Sequence, residues 1–253
     1  MKADINNIEP FLEYLRASGK LKPEAHESNN LNDGALRGVE CPECNNRGYI
    51  SFEKDGYQFS KPCKCMVQRQ ALLRARQSGL DEIMNTYTFK AYQTPDAQTQ
   101  NIKERAMDYV RFGDGKWFYI SGIPGSGKTH ICTAICSALL KKGSEVKYVL
   151  WREIAQKLKS VVNDPEYVDI MESLKRPKVL YIDDFLVGTM SDADFNRAFD
   201  IINARYNMPS KRTIISSNRD ISFVRSMDEA VGSRIWQRSK GYCFKAPDVN
   251  WRN

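Results

Sequence analysis

One stretch, residues 117–140, constrains this chain more than any other. An apolar run, Trp117-Phe118-Tyr119-Ile120, leads into Gly122-Ile123-Pro124-Gly125-Ser126-Gly127-Lys128-Thr129, and a helical pattern follows from His130 to Leu140. Strand, glycine-rich loop and helix in that order make a phosphate-binding site. Gly122, Gly125 and Gly127 let the backbone curl until its N–H groups face a phosphate chain, and the helix N-terminus adds partial positive charge. Lys128 can reach the β- and γ-phosphates, and the Thr129 hydroxyl can ligate Mg²⁺. Pro124, Ser126 and His130 count with the nucleotide-binding residues. A plain turn between strand and helix would not require all the fixed positions together. The expected ligand is a nucleoside triphosphate, ATP, with Mg²⁺.

At 253 residues and 42% apolar content, the chain can hold one α/β domain and a smaller module. No apolar stretch approaches the length of a membrane span, and Met1-Lys2-Ala3-Asp4 opens no signal-peptide segment. The expectation is a soluble, cytoplasmic protein with no membrane partner. A net charge of +7 favours nucleic acid as a partner, although such a balance also occurs in proteins that never touch it.

Past residue 87 the pattern alternates. Strands are expected at 117–121, 145–150, 178–182, 213–217 and 242–246, and helices near 98–112, 128–142, 152–162, 192–207 and 222–238. Strands separated by helices of this size imply a parallel sheet covered on both faces. Before it, Val67 to Gln77 reads as a basic helix, in a run from Asp55 to Asp81 that holds no acid between those two. A short amphipathic segment, Ile8 to Leu15, lies near the start. The expected domains are 1–68 with the cysteines, 69–90 as a basic helical linker, and 91–253.

The strand Val179-Leu180-Tyr181-Ile182 ends in Asp183 and Asp184. In a parallel sheet both carboxylates emerge at the C-terminal edge, beside the phosphate loop. Asp183 is then the Mg²⁺ partner and Asp184 is placed to orient or deprotonate the attacking water. Strand 213–217 ends in Asn218, whose amide can reach the γ-phosphate or the water, though asparagine after a strand is commonly a turn residue. Arg234 and Arg238 lie four apart on one helix face. They form either a solvated basic face or a pair that serves a neighbouring subunit's γ-phosphate.

Of seven cysteines, Cys41, Cys44, Cys63 and Cys65 cluster as two close pairs eighteen residues apart. Zn²⁺ in a structural role takes such a closed set of thiolates. Gly48 and Tyr49-Ile50-Ser51-Phe52 suggest a knuckle and a small hairpin turning at 54–57. A redox pair and a chance cluster are the competing readings. His26 and His130 are taken as non-ligands for metal, and Cys132, Cys136 and Cys243 as small buried hydrophobes.

The order of the phosphate loop with Thr129-His130, then Tyr181-Ile182-Asp183-Asp184, Ser217-Asn218 and Gly232-Ser233-Arg234 to Arg238 resembles the AAA+ ATPases of the DnaC/DnaI helicase-loader and IstB group. The resemblance covers roughly residues 85–253, and the ending near Asn250-Trp251-Arg252 leaves no room for a separate helical lid. The cysteine module is similar to that of DnaI-like and phage-type loaders. The resemblance implies an α/β, three-layer AAA+ fold without a lid, preceded by a small zinc-binding domain. It implies Lys128 and Thr129 as phosphate and Mg²⁺ ligands, Asp183 as the Mg²⁺ aspartate, Asn218 as the sensor, and Arg238, with Arg234 beside it, as the arginine finger. It further implies loading of a DnaB-type replicative helicase onto single-stranded DNA, and self-assembly with ATP. Asp184 stands where many AAA+ enzymes carry glutamate, which implies slow hydrolysis. An IstB-like transposition ATPase on duplex DNA and a nucleotide-gated helicase inhibitor remain open.

Nucleic-acid contact is expected from the basic C-terminal part, which includes Arg205, Lys211, Arg212, Arg219, Arg225 and Lys240. Phe185 to Ser191 and Lys157-Leu158-Lys159 are candidates to line the channel of an assembly, with Phe185 equally a core residue.

Overall fold

Residues 41–54, 56–80, 83–188 and 191–251 are described by the structure, a computed structural model. The expected segment Ile8 to Leu15, His26 and Arg252 lie outside these residues. The chain divides into two compact units between Met66 and Val67.

In the first unit, β1 (Tyr49–Lys54) and β2 (Tyr57–Pro62) form an antiparallel hairpin with Phe52 opposite Phe59. α1 (Cys65–Ser78) begins on the last clustered cysteine and crosses into the second unit.

The second unit is built on strands too short and apolar to stand alone. Its elements are α2 (Ala97–Phe112), β3 (Trp117–Ser121), α3 (Lys128–Lys141), β4 (Val146–Leu150), α4 (Trp151–Ser160), α5 (Glu166–Lys175), β5 (Val179–Asp183), α6 (Asp192–Tyr206), β6 (Arg212–Ser217), α7 (Ile221–Met227), α8 (Glu229–Arg238) and β7 (Cys243–Lys245). The strands pair in the order β4-β5-β6-β3-β7, each neighbour parallel. Side chains alternate across β3, as the pleat requires. Phe118 and Ile120 pack with Tyr109 of α2 and Ile131, Ile135 and Leu139 of α3. Trp117 and Tyr119 pack on the other face with Trp151, Leu158, Ile201, Val231 and Ile235 from α4, α6 and α8. Helices thus cover both faces, giving the expected three-layer α/β architecture. Cys132 and Cys136 are fully buried in it.

Two helical expectations need correction. The helix expected over 222–238 is two helices. Asp228 leaves helical geometry at φ −150° and ψ 104°, and its side chain accepts from the Val231 N–H, which starts α8 afresh. α7 and α8 then cross closely: a Cβ at Gly232 would lie 2.6 Å from the Arg225 backbone. The second correction is α5, absent from the sequence reading although Tyr167, Ile170, Met171 and Leu174 recur at helical spacing and pack on the core. Its C-terminal end is also held from a distance. The fully buried Arg205 of α6 donates to the carbonyls of Leu174 (3.3 Å), Lys175 (3.0 Å), Pro177 (3.2 Å) and Arg212 (2.5 Å), and to Thr213 Oγ1 (2.9 Å). Burial pulls its pKa down to about 10, so it stays charged at neutral pH. No helix among the described residues is long and apolar enough to cross a membrane.

Candidate functional site

The phosphate loop leaves the C-terminal end of β3 and turns into α3. Gly125 adopts φ +81°, and a Cβ there would fall 1.9 Å from Asn250 Oδ1, so a side chain is excluded on both counts. No side chain caps the N-terminus of α3 at Gly127, so its first-turn amides suit an anion. Lys128 is nearly buried, and its ammonium donates to the carbonyls of Gly122 (2.8 Å) and Ile123 (2.7 Å). Ser126 is buried and donates to the Ile123 carbonyl at 2.8 Å, bracing the loop from behind.

β5 delivers its two carboxylates to the same edge. Asp183 is 4% exposed. Its Oδ1 accepts from Thr129 Oγ1 at 3.3 Å, from the Asp184 N–H at 3.2 Å, and from the Ser216 hydroxyl; its Oδ2 accepts from Tyr148 OH at 3.4 Å. Burial, then the Asp183 charge, pushes the Tyr148 phenol up, so it remains a donor. Asp184 sits at φ +50°, a left-handed conformation that aspartate tolerates better than most residues. Asn218 follows β6, and its Oδ1 is buried with no hydrogen-bond partner among the described residues.

These residues share a cleft of about 310 Å³. Lys128, Thr129, Asp184 and Asn218 line it with Pro124, Gly125, Gly127 and His130. Gly122, Ser126 and Asp183 stand behind the lining. Tyr87 and Trp251 also line the cleft, and the sequence reading named neither as a site residue. His130 stacks on Tyr87 with ring centroids 5.0 Å apart and meets the edge of Tyr92 at 5.3 Å. Its Nε2 lies 2.9 Å from the Thr88 carbonyl. Burial and then nearby Lys103 lower its pKa against the opposing pull of that carbonyl, so the imidazole is neutral at pH 7 and donates through Nε2. Trp251 reaches the site from the C-terminal segment, where its backbone N–H donates to the Gly125 carbonyl at 3.0 Å. No spacing rule relates residue 251 to the loop at 125; only the fold does.

The four clustered cysteines converge in the first unit. Cys41 and Cys63 sulfurs lie 3.7 Å apart, Cys44 and Cys65 sulfurs 3.5 Å, and all four lie within 4.8 Å of one another. A tetrahedral zinc with bonds of about 2.3 Å needs sulfurs about 3.8 Å apart. The two closest pairs match that spacing, and no pair exceeds it by more than about 1 Å. Asn45 and Asn46 take left-handed φ angles of 48° and 66°, which bends the knuckle so that the Gly48 N–H donates to Cys44 Sγ at 3.2 Å.

Comparison with known proteins places this geometry in a family. The sequence profile of the IstB-like ATP binding proteins matches residues 64–235. The chain belongs to the IstB-like ATP-binding family. It is 26% identical to the phage-like element PBSX protein XkdC of Bacillus subtilis over 80% of each chain. It is 25% identical to the replicative helicase loader DnaC of Escherichia coli K12, over 64% of this chain and 66% of DnaC. A crystal structure of the DnaC helicase loader superposes with a TM-score of 0.57 at 22% identity, over 65% of this chain and 98% of that one. This IstB-like protein is therefore an AAA+ ATPase in fold and activity.

Its arginines are less available than their number suggests. Arg238 donates to the carbonyls of Met208 (3.4 Å), Pro209 (3.1 Å) and Lys211 (3.3 Å), and sits over the Trp117 ring. Arg234 lies over Phe199 and Tyr206 and donates to the Ala230 carbonyl at 2.9 Å. Neither lines the cleft of its own chain. Arg205 and Arg212, expected among nucleic-acid contacts, are buried, and Arg212 pairs with Asp114 at 2.8 Å. Phe185 is fully buried against Trp151, which removes it as a channel residue. Leu158 is buried as well, and its neighbours Lys157 and Lys159 pair with Glu166 and Asp194, each at 2.8 Å. Arg219 and Lys240 remain exposed.

Proposed function

We propose that this ATPase loads a DnaB-type replicative helicase onto single-stranded DNA. The observation that carries the reading is the similarity to the helicase loader DnaC across the domain that holds the cleft. The metal-sized cysteine cluster ahead of that domain supports a second functional surface, with residues 1–68 gripping the helicase. The cleft supplies the chemistry of a timed switch. Gly122 to Thr129 would cradle the triphosphate, with Lys128 on its β- and γ-oxygens. Thr129 and Asp183 would hold Mg²⁺, which neutralises charge on those oxygens. Asp184 would orient the attacking water and Asn218 would sense the γ-phosphate, while Tyr87, His130 and Trp251, which line the cleft, would border the nucleoside. Four thiolates of Cys41, Cys44, Cys63 and Cys65 would hold Zn²⁺ as a scaffold.

Turnover separates the roles. Asp184→Asn should lower ATP hydrolysis by about 100-fold, the usual scale of a positioned base, while leaving ATP affinity within about twofold. Unchanged turnover would remove Asp184 from the chemistry. Arg238→Ala tests self-assembly: it should keep ATP binding and lose the stimulation of hydrolysis that comes with rising protein concentration. Normal stimulation would rule Arg238 out as the arginine finger.

Light scattering on a size-exclusion column tests the loader reading, with the protein and its host's replicative helicase mixed with and without ATP. A defined complex, followed by faster unwinding of coated single strands, is the expected result. A complex that slows unwinding identifies an inhibitor. No complex in any nucleotide state, together with ATP-dependent assembly on duplex DNA, would move the function to transposition.

A further inference from the structure

We infer that Ser216 and Tyr148 are positioning residues for the metal-binding carboxylate. The inference rests on the nucleotide reading above and concerns residues to which that reading gives no role. Ser216 is the fifth residue of β6, fully buried between β5 and β3. Its hydroxyl donates to Asp183 Oδ1 and accepts from the Asp184 N–H at 3.1 Å. One side chain therefore holds both the Asp183 carboxylate and the Asp184 peptide. The Ser216 carbonyl accepts from the Phe185 N–H at 2.8 Å, and Ser217 Oγ donates to the Phe185 carbonyl at 2.6 Å. β6 thereby clamps the turn that leaves β5.

The turn needs such a clamp. Asp184 and Leu186 both have left-handed backbones, at φ 50° and 56°, and neither is glycine. Such conformations persist where surrounding contacts over-determine them. From the other side, Tyr148 of β4 donates to Asp183 Oδ2 at 3.4 Å. The two carboxylate oxygens are thus held from two different strands, leaving Thr129 as the partner on the cleft side. Residues that orient a metal ligand in this way set its geometry without touching the metal, and losing one commonly weakens binding 10–100-fold.

The test is nucleotide affinity measured with Mg²⁺ and with EDTA, using a fluorescent ATP analogue on the full-length protein. Wild type should bind more tightly with Mg²⁺. In Ser216→Ala the ratio of the two dissociation constants should fall about tenfold, with affinity in EDTA unchanged. Tyr148→Phe, which keeps the ring packed and removes only the hydroxyl, should move the same ratio in the same direction. A merely structural role would shift both affinities together or neither. Wild-type ratios in both variants would overturn the inference. No nucleotide binding by the wild type would overturn the nucleotide reading and this inference with it.

Discussion

Lys128→Ala should abolish useful nucleotide binding. The ammonium sits inside the loop on the Gly122 and Ile123 carbonyls, within the curl that would wrap the phosphates. A charged hydrogen bond contributes about 1.5–3 kcal/mol, so withdrawing the ammonium from both a β- and a γ-oxygen costs about 3 kcal/mol or more. That is at least a roughly 100-fold rise in Kd. Calorimetric titration with Mg-ATP reads it directly. The variant should nonetheless fold. Ser126 still braces the Ile123 carbonyl, the Trp251 backbone N–H still holds Gly125, and the aliphatic core around Ile131 and Ile135 is untouched. A Kd within a few-fold of wild type would show that the loop does not bind phosphate through Lys128, and the proposed function would fall with it.

The parts of this molecule that could be read from sequence are those where chemistry is local. The loop from Gly122 to Thr129 declares itself because each residue serves the same few ångströms of backbone. The unbroken apolar run of β3 fits a strand buried on both faces of a parallel sheet. Where contacts are distant, the reading stopped. The C-terminal end of α5 is held by Arg205, about thirty residues further on, a contact that the local spacing of Tyr167, Ile170, Met171 and Leu174 does not foretell. The break between α7 and α8 turns on whether the Asp228 side chain bonds forward to Val231, which periodicity cannot decide. Trp251 enters the cleft only because β7 lays the C-terminal segment along β3. Basic composition overstated the available charge for the same reason: Arg205, Arg212 and Arg238 serve carbonyls, a carboxylate and aromatic rings of their own domain.

Removing metal from the cysteine cluster is expected to unfold the hairpin and leave the ATPase domain standing. Among the described residues, the buried cluster of the first unit is Cys44, Cys63 and Cys65, with Cys41 and Ile50 against it. One apolar side chain contributes about 1.5–3 kcal/mol. Ordering each residue costs about 1–2 kcal/mol, so a two-stranded hairpin cannot be held by Ile50. Structural zinc supplies about 10–16 kcal/mol in small modules of this kind. Wild type should carry about one zinc per chain, and Cys63→Ser should bring the content close to zero. Amides of β1 and β2 should then exchange within seconds, while those of β3 and β5 stay protected. Among the described residues, neither core cluster of the second unit includes one before Leu80, so Mg-ATP affinity should be retained. Binding to the helicase should be lost, which separates grip from switch. Hairpin amides that stay protected without metal would mean that the four sulfurs hold no zinc and that the knuckle folds on hydrogen bonds alone.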